Sequence, residues 1–98
     1  MEIKYPLEIQ VGGRSFKVEF TRNLIRDGYN RGDVTWHKSI MRLDDNMLED
    51  ITNITFLHEC IHIIDEIFAA GQLSDNLTSQ ISEGLYQILR GLGIRFVK

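Results

Sequence analysis

Phe56-Leu57-His58-Glu59-Cys60-Ile61-His62-Ile63-Ile64-Asp65-Glu66 is the stretch on which the reading of this chain turns. It lies in a run from Asn46 to Ala70 that holds neither Gly nor Pro, and Asn46 followed three residues later by Glu49 has the form of a capping box. The run predicts one long helix of about 23 residues. Ile54, Leu57, Ile61, Ile64 and Phe68 recur at spacings of three and four, and Phe56, Ile63 and Ile67 form a second apolar edge. A helix so patterned is expected to be buried on most sides in its second half. Within it, His58 and His62 stand one turn apart on one face, where both imidazoles can reach a single ion with Zn–N bonds of about 2.0 to 2.1 Å. Glu59 projects beside that face, placed to touch a water near the metal and take its proton rather than to bind the metal. Two histidines and a glutamate among the most apolar neighbours of the chain are costly to desolvate unless something pairs with them, which favours a metal over an accidental match.

On the N-terminal side the pattern changes to period two. Leu7, Ile9 and Val11, then Gly12-Gly13, then Phe16, Val18 and Phe20 read as a hairpin in which Val11 faces Arg14, Ile9 faces Phe16, Leu7 faces Val18 and Tyr5 faces Phe20. Thr21 to Asp33 is a polar connection with room for a short helical turn, and Arg31-Gly32-Asp33 inside it carries no function in a cytoplasmic chain. Val34 to Trp36 and Ser39 to Leu43 suggest a second strand pair folding back at His37-Lys38. On the C-terminal side Gly71 stops the long helix, and Ser74 or Asp75 caps another. Leu77, Ile81, Leu85, Ile88 and Leu92 mark the expected core face of that helix until Gly91 and Gly93 end it, and Ile94 to Lys98 form a last short strand.

Composition bounds the class. A chain of 98 residues, 43% hydrophobic and 26% charged, has room for one domain, 1–98, with a thin core to which a metal could add stability. A lone Cys60 cannot pair within the chain, which favours a reducing compartment, with the cytoplasm as the expectation. No signal-peptide pattern opens the sequence and no segment nears eighteen apolar residues, so secretion and membrane spanning are disfavoured. A net charge of -3 without a Lys/Arg cluster argues against nucleic acid as a partner. Cys60 reads as a small core residue, being well around the helix from the histidines, and Trp36 as packing.

A catalytic zinc takes three protein ligands and leaves a fourth position for water, so one donor is missing. Glu66 lies about 6 Å along the axis from His62 and about 12 Å from His58, too far for a compact tetrahedron. Asp65 is better placed to orient an imidazole, or to stand as a charge on the helix surface. Glu83 and Asp75 on the following helix, and His37 on the strands, remain as donors.

Gly32-Asp33-Val34, Ile40-Met41-Arg42-Leu43-Asp44, the Thr55 to Glu66 segment and Ser82-Glu83-Gly84-Leu85-Tyr86 together resemble the small zincin-like metallopeptidases of bacteria and their phages, in the style of the ImmA/IrrE proteins and the gluzincins. The resemblance spans roughly residues 32 to 92. It implies Glu83 as the third zinc ligand, and the strand from Ile40 to Leu43 as the edge on which an extended peptide would lie. Gluzincins usually carry an Asp four residues beyond the ligand glutamate, where this chain has Gln87, an uncharged acceptor that would lower metal affinity or activity. Glu83 also points away from the apolar stripe of its helix, so that helix would be contacted on two faces, the second by a homodimer partner. Tyr86, three residues past Glu83, is the first candidate to stabilise an oxyanion.

The expected fold is α+β: a small, mostly antiparallel sheet packed on the active-site helix, followed by a second helix that bears a ligand. The expected function is zinc-dependent hydrolysis of a peptide bond, with His58, His62 and Glu83 holding zinc, Glu59 as general base and a peptide or protein as substrate. By analogy with repressor-cleaving relatives, regulatory proteolysis of a protein partner follows. The alternative is a non-catalytic, zinc-stabilised protein-binding module.

Overall fold

Gly12 and Gly13 turn the chain with φ of 59° and 79°, the left-handed pair that a two-residue hairpin loop requires and that side chains disfavour. The loop joins β2 (Glu8–Val11) to β3 (Arg14–Thr21) in the predicted register, with Val11 opposite Arg14 and Ile9 opposite Phe16. Val18 N–H donates to Leu7 O at 2.9 Å, and the Tyr5 and Phe20 rings meet edge to face at 5.3 Å. Leu7 itself, at the start of the hairpin, is 88% exposed. The computed structural model describes residues 1–28 and 30–98. Tyr29, in the connection predicted between Thr21 and Asp33, lies outside the described residues. That connection carries α1 (Leu24–Gly28), and the second strand pair is β4 (Gly32–Thr35) and β5 (Ile40–Asp44), joined through a 3-10 turn at Trp36–Lys38.

The four-stranded sheet has the order β2-β3-β5-β4. β5 runs parallel to β3, with Val18 opposite Met41 and Phe20 opposite Leu43, and antiparallel to β4. A separate parallel pair joins β1 (Glu2–Lys4) to β6 (Arg95–Val97). The fold is thus α+β with a mixed sheet, antiparallel in two of its three strand pairs. β5 lies inside the sheet, so the expectation that Ile40 to Leu43 form an edge is corrected. Met41 and Leu43 are fully buried, and strands that bury such residues gain by pairing on both sides. The edge is β4.

The layer over the sheet is α2 (Glu49–Phe68), twenty residues that begin two later than predicted. The capping box does not form, because Asn46 N–H is taken by Asp44 Oδ1 at 2.8 Å and the cap position falls to Leu48. Phe56 and Ile63, from the second apolar edge, pack with Phe16, Val18, Met41 and Leu43 in the core. Ile64 and Phe68 stay 48% and 69% exposed, so the second half of α2 is less enclosed than expected.

α3 (Asp75–Gly91) starts at Ser74, whose Oγ accepts from Leu77 N–H at 3.0 Å. The face it turns inward is not the predicted one. Thr78 and Ser82 are fully buried, whereas Leu77, Ile81, Leu85, Ile88 and Leu92 are all exposed. The buried hydroxyls are satisfied inside their own helix, Thr78 on Ser74 O and Ser82 on Ser79 O, both at 2.9 Å. Small side chains with internal hydrogen bonds can therefore be covered without leaving a polar group unpaired.

Candidate metal centre

α2 and α3 run antiparallel, and their register decides what faces the histidines. Asp75 Oδ1 lies 3.1 Å from His62 Nε2, and Ser79 Oγ lies 3.4 Å from His58 Nδ1. Four residues forward on α3 thus match four residues back on α2. Continuing the same register sets Glu83 level with Ile54, one turn beyond His58, and Tyr86 beyond that. Tyr86 Oη indeed donates to Asp50 Oδ1 at 2.5 Å, near the start of α2, and Arg90 Nη1 reaches the same oxygen at 2.6 Å.

The metal-type donors that converge are His58, His62 and Asp75. His58 Nε2 and His62 Nε2 are 2.9 Å apart, and Asp75 Oδ1 is 3.4 Å from the first and 3.1 Å from the second. A tetrahedral site with bonds of 2.0 to 2.1 Å has donor–donor edges of about 3.4 Å, so this triangle needs only a slight opening to hold a zinc ion against one face. Two imidazoles and one carboxylate also match zinc's preference for nitrogen and hard oxygen donors. Among the described residues, no other set of three His, Cys, Asp or Glu donors comes as close together.

Glu59 lies beside the triangle, 7% exposed. Burial, and then the charges of Asp33 and Asp75, push its carboxyl up to about 7. His58 is lowered by burial and by His62, with Asp75 opposing. Buried Glu59 lies near the carboxylates of Asp33 and Asp75, and a dication would relieve that crowding. All four residues line a cleft of about 590 Å³, which also takes in Glu83 on its exposed rim and is bordered by Gly32, Asp33 and Val34 of the edge strand. A Cβ on Gly32 would come within 2.8 Å of Thr55 Cγ2 and 3.0 Å of Arg42 O, so only glycine lets β4 approach α2 this closely.

The structure thus brings together His58, His62 and Glu59 of the expected site, and leaves Glu83 and Tyr86 out of the converging donors. Asp75 takes the place expected of Glu83. It was among the open donors, and the signal for it was its position: the first residue of a helix returning antiparallel after a short turn. Asp65, expected to orient an imidazole, instead accepts Leu73 N–H with both oxygens at 3.2 Å and holds that turn. Glu66 folds its carboxylate over Gly71, and His37 is exposed in the 3-10 turn. Cys60 is a packing residue, its thiol pushed up to about 12 by burial. Trp36 packs edge to face on Phe16 at 5.8 Å. Among the described residues no helix is long and apolar enough to cross a membrane. No family model, curated protein or solved structure matches this chain.

Proposed function

We propose that this chain is a zinc-dependent peptidase of the zincin-like kind, in which His58, His62 and Asp75 hold the metal. The observation that carries this reading is the triangle of donor atoms 2.9, 3.1 and 3.4 Å apart with a buried carboxylate beside it. Zinc, when bound, supplies Lewis acidity and lowers the pKa of water toward neutrality. Glu59 takes a proton from the attacking water and passes it to the leaving amine, a role that its place in the cleft beside His58 and His62 suits. The outer edge of β4 offers unpaired backbone groups beside the cleft, so an extended peptide adds there as a further strand. The substrate is then a flexible protein segment, and regulatory cleavage of a partner fits an open cleft of this size.

A second reading, a non-catalytic zinc-stabilised binding module, draws on one observation. Tyr86, the expected oxyanion donor, is committed to Asp50 and Arg90. Elemental mass spectrometry of the purified chain, paired with hydrolysis of a peptide library, separates these readings. About one zinc per chain is expected, lost in His58→Ala and weakened ten- to a hundred-fold in Asp75→Asn, with Glu83→Gln near wild type. Glu59→Gln should keep the zinc and lose hydrolysis. Absence of zinc from a zinc-supplied wild-type preparation overturns both readings, and zinc without Glu59-dependent cleavage leaves the binding module. Metal loss in Glu83→Gln but not in Asp75→Asn would restore the assignment made by resemblance.

A further inference from the structure

The unusual surface of this molecule is the outer face of α3. Its five largest apolar side chains, Leu77, Ile81, Leu85, Ile88 and Leu92, are 42, 41, 37, 62 and 69% exposed, while the helix buries Thr78 and Ser82 against α2. A soluble helix ordinarily does the reverse. The two charged residues within α3 past its first turn, Glu83 and Arg90, fall on the opposite side of the helix wheel, and Arg90 is already paired with Asp50.

We infer that this face pairs with itself, joining two copies of the chain as an antiparallel, two-fold dimer through α3. Four of these five side chains are related by reversal of the helix. About a point midway between Gly84 and Leu85, Leu77 answers Leu92 and Ile81 answers Ile88, each pair equidistant from the centre. A two-fold axis through that point sets Leu77 beside Leu92 of the partner subunit, Ile81 beside Ile88 of the partner subunit, and Leu85 over Gly84 of the partner subunit. Such reciprocity is what an isologous interface demands, and an unrelated partner would not require it. Gly84 has open space beside it, with nothing within 4 Å of a built Cβ, so it offers a depression for the opposing leucine.

The area suffices. The five side chains expose roughly 450 Å² per copy, so pairing removes about 900 Å² before the rim is counted, close to the ~1,000 Å² at which specific interfaces begin. The seam carries no charge, so a chain of net charge -3 can associate through it without like charges meeting. The pairing leaves the metal cleft free, since the cleft opens from the polar side of α3, and it does not depend on whether the site is catalytic.

Sedimentation velocity of the intact chain from 1 to 100 µM tests this. A dimer is expected, converted to monomer by Leu85→Glu and by Ile88→Glu with unchanged circular dichroism and zinc content. Diamide oxidation in a Cys60→Ala background tests the symmetry: Leu85→Cys should link to itself near the axis, and Leu77→Cys should not, being about 22 Å from its image. The Leu77→Cys, Leu92→Cys double variant should link. A monomer throughout that concentration range overturns the proposal, as does a dimer that both glutamate variants leave intact. Self-linking of Leu77→Cys would replace it with a parallel pairing.

Discussion

Asp44 shows what a single buried carboxylate does outside the metal centre. It is 3% exposed and accepts Ile25 N–H at 2.7 Å and Asn46 N–H at 2.8 Å, tying α1 and the approach to α2 to the end of β5. Those two N–H groups, Ile25 first, hold its carboxyl below the usual carboxylate range. A native pKa below the unfolded one means that the unfolded chain binds the proton first, so the stabilisation is complete above about pH 4 and is lost as pH falls through the native value. Asp44→Asn should therefore cost about 1.5 to 3 kcal/mol at pH 7. Urea unfolding at several pH values should show that gap closing as pH falls below about 4, and a gap constant with pH would contradict the assignment. At this scale the histidine pair and Glu59 were legible, because helical spacing alone sets i and i+4 on one face. Asp75 was not selected, because the choice between it and Glu83 is a choice of register between two helices, which neither helix's own sequence states.

At the scale of elements, a close fit joins the edge strand β4 to α2. Gly32 packs against Thr55, one turn before His58, and its would-be Cβ meets a backbone oxygen that cannot swing aside. Gly32→Ala should destabilise the fold by about 1 to 3 kcal/mol, read as a lower urea midpoint with an unchanged slope. It should also weaken zinc binding by displacing β4 from α2, and a variant as stable as wild type would show that the strand is free to move. The hairpin was readable in full register, since alternation and Gly-Gly both fix it. The place of β5 was not: an alternating five-residue strand looks alike at an edge and in the middle, and only the parallel pairing with β3 decides. The inward face of α3 was read wrongly for a physical reason. Periodicity identifies an apolar stripe, but burial within one chain went to the hydroxyl face, whose groups are satisfied internally.

For the whole molecule, closure comes from the chain ends. β1 and β6 pair in parallel, and Asn53, fully buried on α2, ties them down through Phe96, donating to its O at 2.9 Å and accepting from its N–H at 2.7 Å. Tyr5, Phe20, Phe56 and Phe96 form a ring cluster with centroids 5.0 to 5.6 Å apart, so both ends of the sequence meet on the helix that bears the histidines. In so small a domain a metal held as proposed should contribute visibly to global stability. Zinc at about a hundred times its dissociation constant adds about 2.7 kcal/mol, a rise in Tm of roughly 10 °C or more for this length. Calorimetry with zinc and then with a chelator should show the rise and its reversal, and His58→Ala should show neither. An equal Tm in all three conditions would mean that no metal is held in the native state.

Local periodicity determined the helices, the hairpin, the last strand and the facing histidines, because each depends on residues within a few positions of one another. The interior position of β5, the exposed apolar face of α3 and the meeting of Asp75 with His62 were decided by the tertiary structure alone. Each depends on which of several locally equivalent surfaces buries the most while leaving no polar group unpaired, a comparison made only when the whole chain packs.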